Sequence, residues 1–305
     1  MNKIKLSIQS SLICLMSILL SCNSSSKQEP RSESDSSNVQ RSAQVRGAMR
    51  NENLEENLEK LNDRVKRFPG DPQIYFRRSI ILNDLKKNEK ALDDMNKALS
   101  LDSMNADYYM QRAKINWDLS LAAAAIEDYK KTLLLRPESK EAFFRLGRTY
   151  FYVQEYELAF ENLNEALRLD KLMPGPYYFK GLAYFEMGDT ARAVSNWQTT
   201  IELEPDHYEA YFNLGRMNMK SQPELAIDYF NNAIRVKSSS IDAHLFRAYS
   251  LQLIDSISKA IEDYEFIINK VPLHAQANYN LGYLNYEQQE FQTAIEYLSK
   301  VIQSN

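Results

Sequence analysis

Seven alanines stand in register along this chain: Ala91, Ala125, Ala159, Ala193, Ala226, Ala260 and Ala294, at steps of 34 residues with a single step of 33 after Ala193. A second series keeps the same steps, through Tyr75, Tyr109, Phe143, Tyr177 and Tyr211 to His244 and Asn278. Self-similarity at this period builds one helix–turn–helix unit many times, and each unit hides its apolar face only by stacking on its neighbours. Architecture is therefore constrained before any motif is read, towards an extended binding surface and away from a catalytic pocket.

Composition agrees: only 8 glycines and 9 prolines occur in 305 residues, as packed amphipathic helices require. The units span 72–105, 106–139, 140–173, 174–207, 208–240, 241–274 and 275–305. Before them, Leu54, Leu58, Leu61, Val65 and Phe68 recur at helical spacing until Pro69-Gly70, which predicts a half-repeat helix covering the first unit. In the fourth unit Tyr177, Gly181 and Tyr184 line the first helix, Gly188-Asp189 turns the chain, and Ala193 and Trp197 face back from the second helix. Gly147, Gly181, Gly215 and Gly282 mark places where paired helices cross closely. The fifth unit is one residue short, and its turn, Ser221-Gln222-Pro223-Glu224, reads as a capping box with proline in the first helical turn.

From 72 to 305 this pattern resembles the tetratricopeptide repeat. The resemblance implies an all-α, right-handed superhelical solenoid of about seven hairpins preceded by the half-repeat helix, occupying residues 51–305. It also implies that the first helix of each unit lines a concave groove for proteins or peptides.

The units vary in a correlated way. Three carry arginine at the seventh place, Arg78, Arg112 and Arg247, and aspartate sixteen residues on, at Asp94, Asp128 and Asp263. Three others carry Leu146, Leu214 and Leu281, followed by Asn162, Phe230 and Tyr297. Lys180, opposite Asn196, is intermediate. Two columns that switch together predict an ion pair between the helices of one unit.

The first fifty residues are a different kind of sequence. Lys3 and Lys5 precede a short apolar run from Leu12 to Leu20, too short to span a bilayer and matching a secretory signal over 1–21. The run ends in Leu19-Leu20-Ser21-Cys22, which resembles the bacterial lipobox. That resemblance implies lipidation of Cys22 with palmitate-type chains and cleavage after Ser21. It also implies attachment to the cell envelope, at the outer membrane because Asn23 is not the aspartate of inner-membrane retention. Cys14 would leave with the signal, so the mature chain would hold one thiol and no internal disulfide. Residues 22–50, rich in serine and poor in large apolar side chains, are expected to form a disordered tether reaching roughly 30 Å. The precursor's formal charge of −4 becomes −6 once Lys3 and Lys5 are gone, which argues against nucleic acid as a partner.

No enzyme signature is present: the glycines are dispersed, and no HExxH, paired CxxC or calcium loop occurs. His207 and His274 close two separate units and His244 takes a packing place, so neither metal nor cofactor is expected. The candidate site is the inner wall, at Phe144, Arg148, Tyr152, Tyr178, Phe179, Phe185, Phe212, Arg216, Phe246, Tyr249 and Tyr283. Phe76, Arg77, Met110, Lys114, Trp117, Arg145, Phe151, Tyr279 and Tyr286 extend it. Aromatics interleaved with arginine are the residue types of binding hot spots, and an extended peptide or partner helix is the expected occupant. The carboxylate clamp known in one branch of the family is not expected. Phe144, Tyr178 and Leu245 stand where its lysines belong, Arg148, Leu182 and Tyr249 replace its first asparagine, and Asn213 and Asn280 match single elements.

At the far end, Ile295, Leu298, Val301 and Ile302 face where a further unit would stack, which suggests homo-oligomerisation or a partner cap. The expected function is thus a lipid-anchored protein-interaction scaffold of the bacterial envelope. The alternatives are a self-associating structural solenoid or a component of a secretion, pilus or outer-membrane assembly machine.

Overall fold

The computed structural model describes residues 36–304, with their side chains from residue 52 onwards. Cys22, the signal over 1–21 and the tether up to residue 35 lie outside the described residues. What is described is all helix. A first helix, α1 (Ser36–Arg67), precedes seven hairpins. These are α2 (Pro72–Asp84) with α3 (Asn88–Leu101), α4 (Ala106–Asp118) with α5 (Ala122–Leu135), and α6 (Lys140–Tyr152) with α7 (Tyr156–Leu169). There follow α8 (Pro174–Glu186) with α9 (Thr190–Leu203), and α10 (Tyr208–Asn218) with α11 (Pro223–Val236). The last are α12 (Ile241–Leu253) with α13 (Ile257–Lys270) and α14 (Ala275–Glu287) with α15 (Phe291–Gln303). Among the described residues no helix is long and apolar enough to cross a membrane.

Helix α1 starts at Ser36, inside the stretch expected to be coil. Residues 36–50 hold no proline and include two alanines, two glutamines and three arginines, so a helix nucleated by the packed segment beyond them extends backwards at little cost. Leu58 and Val65 of α1 pack against the core of the first unit, which includes Tyr75 and Leu82. Phe68 falls outside α1 and is 57 % exposed, so the apolar stripe ends at Val65.

Each hairpin is closed by a small residue facing a large one. Gly147 meets Leu163, Gly181 meets Trp197, Gly215 meets Phe230 and Gly282 meets Leu298. A Cβ on Gly181 would stand 2.5 Å from Trp197 Nε1, well inside contact distance. In the first unit the same role falls to Ser79, whose hydroxyl lies 2.9 Å from Met95 Sδ. The register alanines of the second helices, from Ala91 to Ala294, are all buried.

The turns inside the hairpins share an unusual backbone. Lys86, Ser120, Gln154, Asp255 and Gln289 adopt φ between 59° and 65°, and Gly188 takes 82°. Left-handed backbone strains any residue with a Cβ. The fifth unit has no such residue among its described positions, and it is the unit that lacks one residue. Its shortened turn also overturns the expected capping box. The N-cap of α11 is Gln222 and not Ser221, Pro223 sits at the first helical position, and no side chain caps the helix. Proline favours that first position because its missing N–H is an orphan there anyway, and this displaces Ser221 by one residue. Gln154→Gly should relieve the left-handed strain and raise stability by about 1 kcal/mol. Thermal melting of the full chain checks this, with Gly188→Ala expected to shift the melting temperature the other way.

Candidate partner-binding wall

First helices of successive units meet directly, α6 with α8 and α10 with α12 among them, whereas a second helix reaches the next unit through that unit's first helix. The first helices therefore form one continuous wall, held in place by a set of locks. Arg78 donates from Nε and Nη2 to both carboxylate oxygens of Asp94 at 2.7 and 2.6 Å. Arg112 does the same to Asp128 at 2.9 and 2.7 Å, and Arg247 to Asp263 at 2.8 and 2.6 Å. These are bidentate, charge-assisted bonds to buried aspartates.

Each guanidinium also reaches backwards. Nη1 of Arg78, Arg112 and Arg247 donates to Asn62, Asn96 and Asn231, sixteen residues earlier on the preceding helix. One arginine thus ties three helices, its own, its hairpin partner and the last helix of the previous unit. Lys180 bonds Asn164 at the same offset. Sequence reasoning saw only the forward partner. The backward one had a signal, because the units with Leu146, Leu214 and Leu281 carry Lys130, Gln198 and Glu265 in that column instead of asparagine.

Asp263 takes a third donor, His244 Nδ1 at 2.6 Å. Burial alone would raise the Asp263 carboxyl, but the hydrogen bonds from Arg247 and His244 outweigh it and hold the group below the usual carboxylate range. A folded-state pKa below the unfolded one means that this contribution is present at neutral pH and is lost as pH falls through the folded value. The other histidines have structural roles that the sequence did not announce. His207 and His274 each accept the N–H of the third helical residue, capping α10 and α14 where serine caps α6 and α12. Burial lowers the His274 imidazole below its ordinary value, which suits the neutral, accepting form.

The aromatic residues of the wall gather into two patches. In the first, Trp117 of α4 packs on Tyr152 of α6 with ring centres 5.1 Å apart, and the Arg148 guanidinium lies over Trp117 at 5.6 Å. Tyr152 is 54 % exposed. Phe144, half-buried, meets the edge of Phe179, and Tyr178 packs at a tilt against His207, 4.5 Å between ring centres. Burial drives the Tyr178 phenol far above its ordinary value, so it remains protonated. In the second patch, Phe212 and Phe246 meet edge to face, and the exposed Arg216 sits over both rings at 5.9 and 5.8 Å. Tyr283 is half-buried against the core beneath this patch.

Two expected wall residues do not serve as open surface. Phe179 is 9 % exposed, enclosed by Phe144, Phe151, Tyr152 and Tyr178. Tyr249 is 8 % exposed between Phe246 and Tyr264, its hydroxyl accepting from Asn280 and its pKa pushed up to about 12 by burial. Phe185 packs against Trp197 within its own hairpin, 6.0 Å between ring centres, yet stays 36 % exposed and remains part of the open wall. Aromatics at helical spacing fill seams between units as readily as they line a groove, and residue type alone does not separate the two. Phe179→Ala is accordingly expected to cost about 3 kcal/mol of stability through cavity formation, read by denaturant unfolding, with no role in holding a partner.

Among the described residues no cluster of histidine, cysteine and acidic side chains is placed to hold a metal ion. The wall offers stacking surfaces and cationic hydrogen-bond donors.

Family models described as "Tetratricopeptide repeat" match residues 180–241 and 255–305, and residues 72–103 and 140–171, together more than half of the chain. Tetratricopeptide repeat protein 16 of Macaca fascicularis is 30 % identical over 116 residues, and its human counterpart 29 % over the same length. Those matches cover 35 % of this chain and only 13 % of either relative, so the likeness is one of repeats and not of whole proteins. Among solved structures, the C-terminal part of a TPR repeat-containing protein from Cytophaga hutchinsonii aligns with TM-score 0.57 and 22 % identity, over 75 % of this chain and 94 % of that one. The Pseudomonas aeruginosa pilF protein aligns with TM-score 0.59 and 18 % identity, over 66 % and 92 %. Both share the all-α superhelical fold.

Proposed function

The chain belongs to the tetratricopeptide-repeat family of protein-interaction scaffolds, and from that premise we propose that its first-helix wall receives an extended peptide or helix of a partner protein. The observation that carries this reading is the pair of aromatic patches with arginine laid over them. Tyr152 and Arg216 are exposed there, against Trp117 of α4 and Phe246 of α12, helices that carry the buried Arg112–Asp128 and Arg247–Asp263 pairs. Rigid backing lowers the ordering cost of binding, and aromatic–arginine surfaces return the most energy per contact. A photo-reactive amino acid placed at Tyr152 or Arg216 in the native host should form adducts with a discrete partner. The same probe at Asp228, exposed on the second helix α11, should not. Equal labelling from both faces would remove the wall from consideration.

The scaffold is further proposed to act at the bacterial envelope, held by lipid on Cys22, on the strength of Leu19-Leu20-Ser21-Cys22 after a basic start and a short apolar run. Two or more acyl chains hold a protein stably, since each buried CH₂ contributes about 0.8 kcal/mol. Cys22→Ser should block incorporation of an alkyne-labelled fatty acid and leave the chain in the aqueous phase of a detergent partition. Label retained in that variant would contradict the anchor.

A second reading, self-association, is favoured by the last helix. Ile295 is 58 % and Ile302 79 % exposed on α15, with Leu298 half-buried beside Gly282. Concentration-dependent sedimentation that Ile302→Glu abolishes would support it, and a monomer at every concentration would dismiss it.

A further inference from the structure

Among the described residues from 72 onwards, every arginine but three has a carboxylate partner. The three without one are Arg77, Arg148 and Arg216, and all lie on first helices, on the wall described above. Carboxylates are not scarce in this chain, which has 41 acidic against 37 basic side chains. Arg148 is the most telling of the three, because its Nε is buried and no acceptor reaches it.

Arg148 and Arg216 are held by aromatic faces instead, at Trp117 for the first and Phe212 with Phe246 for the second. A guanidinium stacked on a ring keeps its charge and its in-plane N–H groups, which remain free to grip a carboxylate in the plane. The two arginines occupy the same place in units three and five, and the matching place in unit four is the half-buried Leu182. Lys114, which also has no carboxylate partner among the described residues, holds that place in unit two. From unit two to unit five the column therefore runs cation, cation, apolar, cation, flanked by Ile80 before it and by Tyr249 and Tyr283 after it.

We propose that the ligand of this wall is an acidic segment of a partner protein. Its carboxylate side chains settle on Arg148 and Arg216, and its apolar or aromatic side chains lie on the rings and on Leu182 between them. The proposal rests on the wall being the binding surface and adds the chemical class of what binds. Internal pairing would have satisfied these arginines had stability been their role, as it does at Arg78, Arg112 and Arg247.

The full chain is titrated against three labelled extended peptides that alternate phenylalanine with glutamate, with glutamine or with lysine, and fluorescence anisotropy is read. The glutamate peptide should bind, more weakly as salt is raised, and its affinity should fall about tenfold in each of Arg148→Gln and Arg216→Gln, as expected for loss of a charged hydrogen-bonded contact. Unchanged melting of both variants would show that the loss is one of recognition and not of folding. Equal binding of the glutamate and glutamine peptides, lost in Tyr152→Ala, would overturn the acidic ligand and leave the wall in place. Preference for the lysine peptide, or no binding of any of the three, would also overturn the acidic ligand. Whether the wall is a binding surface at all is then decided by the adducts formed at Tyr152.

Discussion

Asp128→Ala is expected to destabilise the chain by about 3–5 kcal/mol, because it strips a half-buried guanidinium of its counter-charge without restoring water to it. Arg112 is only 26 % exposed at its side chain and spends two donors on Asp128, while Asn116 donates a third bond at 3.0 Å. The neighbouring hairpin supplies the control, since Leu146 and Asn162 stand where Arg112 and Asp128 do and that unit packs without the charges. The double variant Arg112→Leu, Asp128→Asn should therefore recover most of the loss, with the introduced amide still able to accept from Asn116. Repeat arrays unfold locally as well as globally, so hydrogen exchange across α4 and α5 should accompany denaturant titration. Equal losses in the single and double variants would show that the pair confers net stability beyond satisfying itself.

The second large effect is steric. Trp197→Ala is expected to cost about 3–5 kcal/mol, the usual range for emptying a buried aromatic site, since Trp197 is 1 % exposed between the helices of unit four. Gly181→Ala attacks the same contact from the other side. Its new Cβ falls 2.5 Å from the indole, and overpacking of that kind costs about 1–3 kcal/mol, partly offset by alanine's better helix propensity. Two other hairpins show how to repair it. Ala113 with Tyr129 and Ala248 with Tyr264 are the corresponding pairs in units two and six, all four buried. Gly181→Ala combined with Trp197→Tyr should then melt above Gly181→Ala alone. Failure of that rescue would mean the small–large match is not the term that sets helix spacing.

Much of the scaffold could be read directly because a repeat lets one chain serve as its own comparison. The alanine register marks the close approach of paired helices. The coupled columns of Arg78, Arg112 and Arg247 with their aspartates needed no structure to notice, since both switch in the same units. The strained turn residues were opaque because Lys86, Ser120, Gln154, Asp255 and Gln289 share no chemistry, and a left-handed backbone leaves no mark on composition unless glycine fills it. His207 and His274 were legible as the ends of units but not as helix caps, a role more familiar from serine and asparagine. The helical start at Ser36 was likewise hidden, because Ser-rich composition suggests coil when read apart from the helix it adjoins.

The wall divides most sharply along this line. Its arginine and aromatic positions follow from the period, and the period follows from the sequence alone. Which of them face outwards does not. Tyr152 is open and Phe179 is closed, although both are aromatics on first helices. That difference arises where the curve of one helix meets the side chains of the next, so it belongs to the packing of neighbours and cannot be expressed within any single unit. The sequence by itself determined how many hairpins there are, where they turn and which hairpins carry an ion pair. Beyond the three arginines whose aspartates follow at a fixed spacing, the tertiary structure decided which find a carboxylate and which still hold their donors free, because that depends on where each side chain lies against its neighbours and residue type does not encode it.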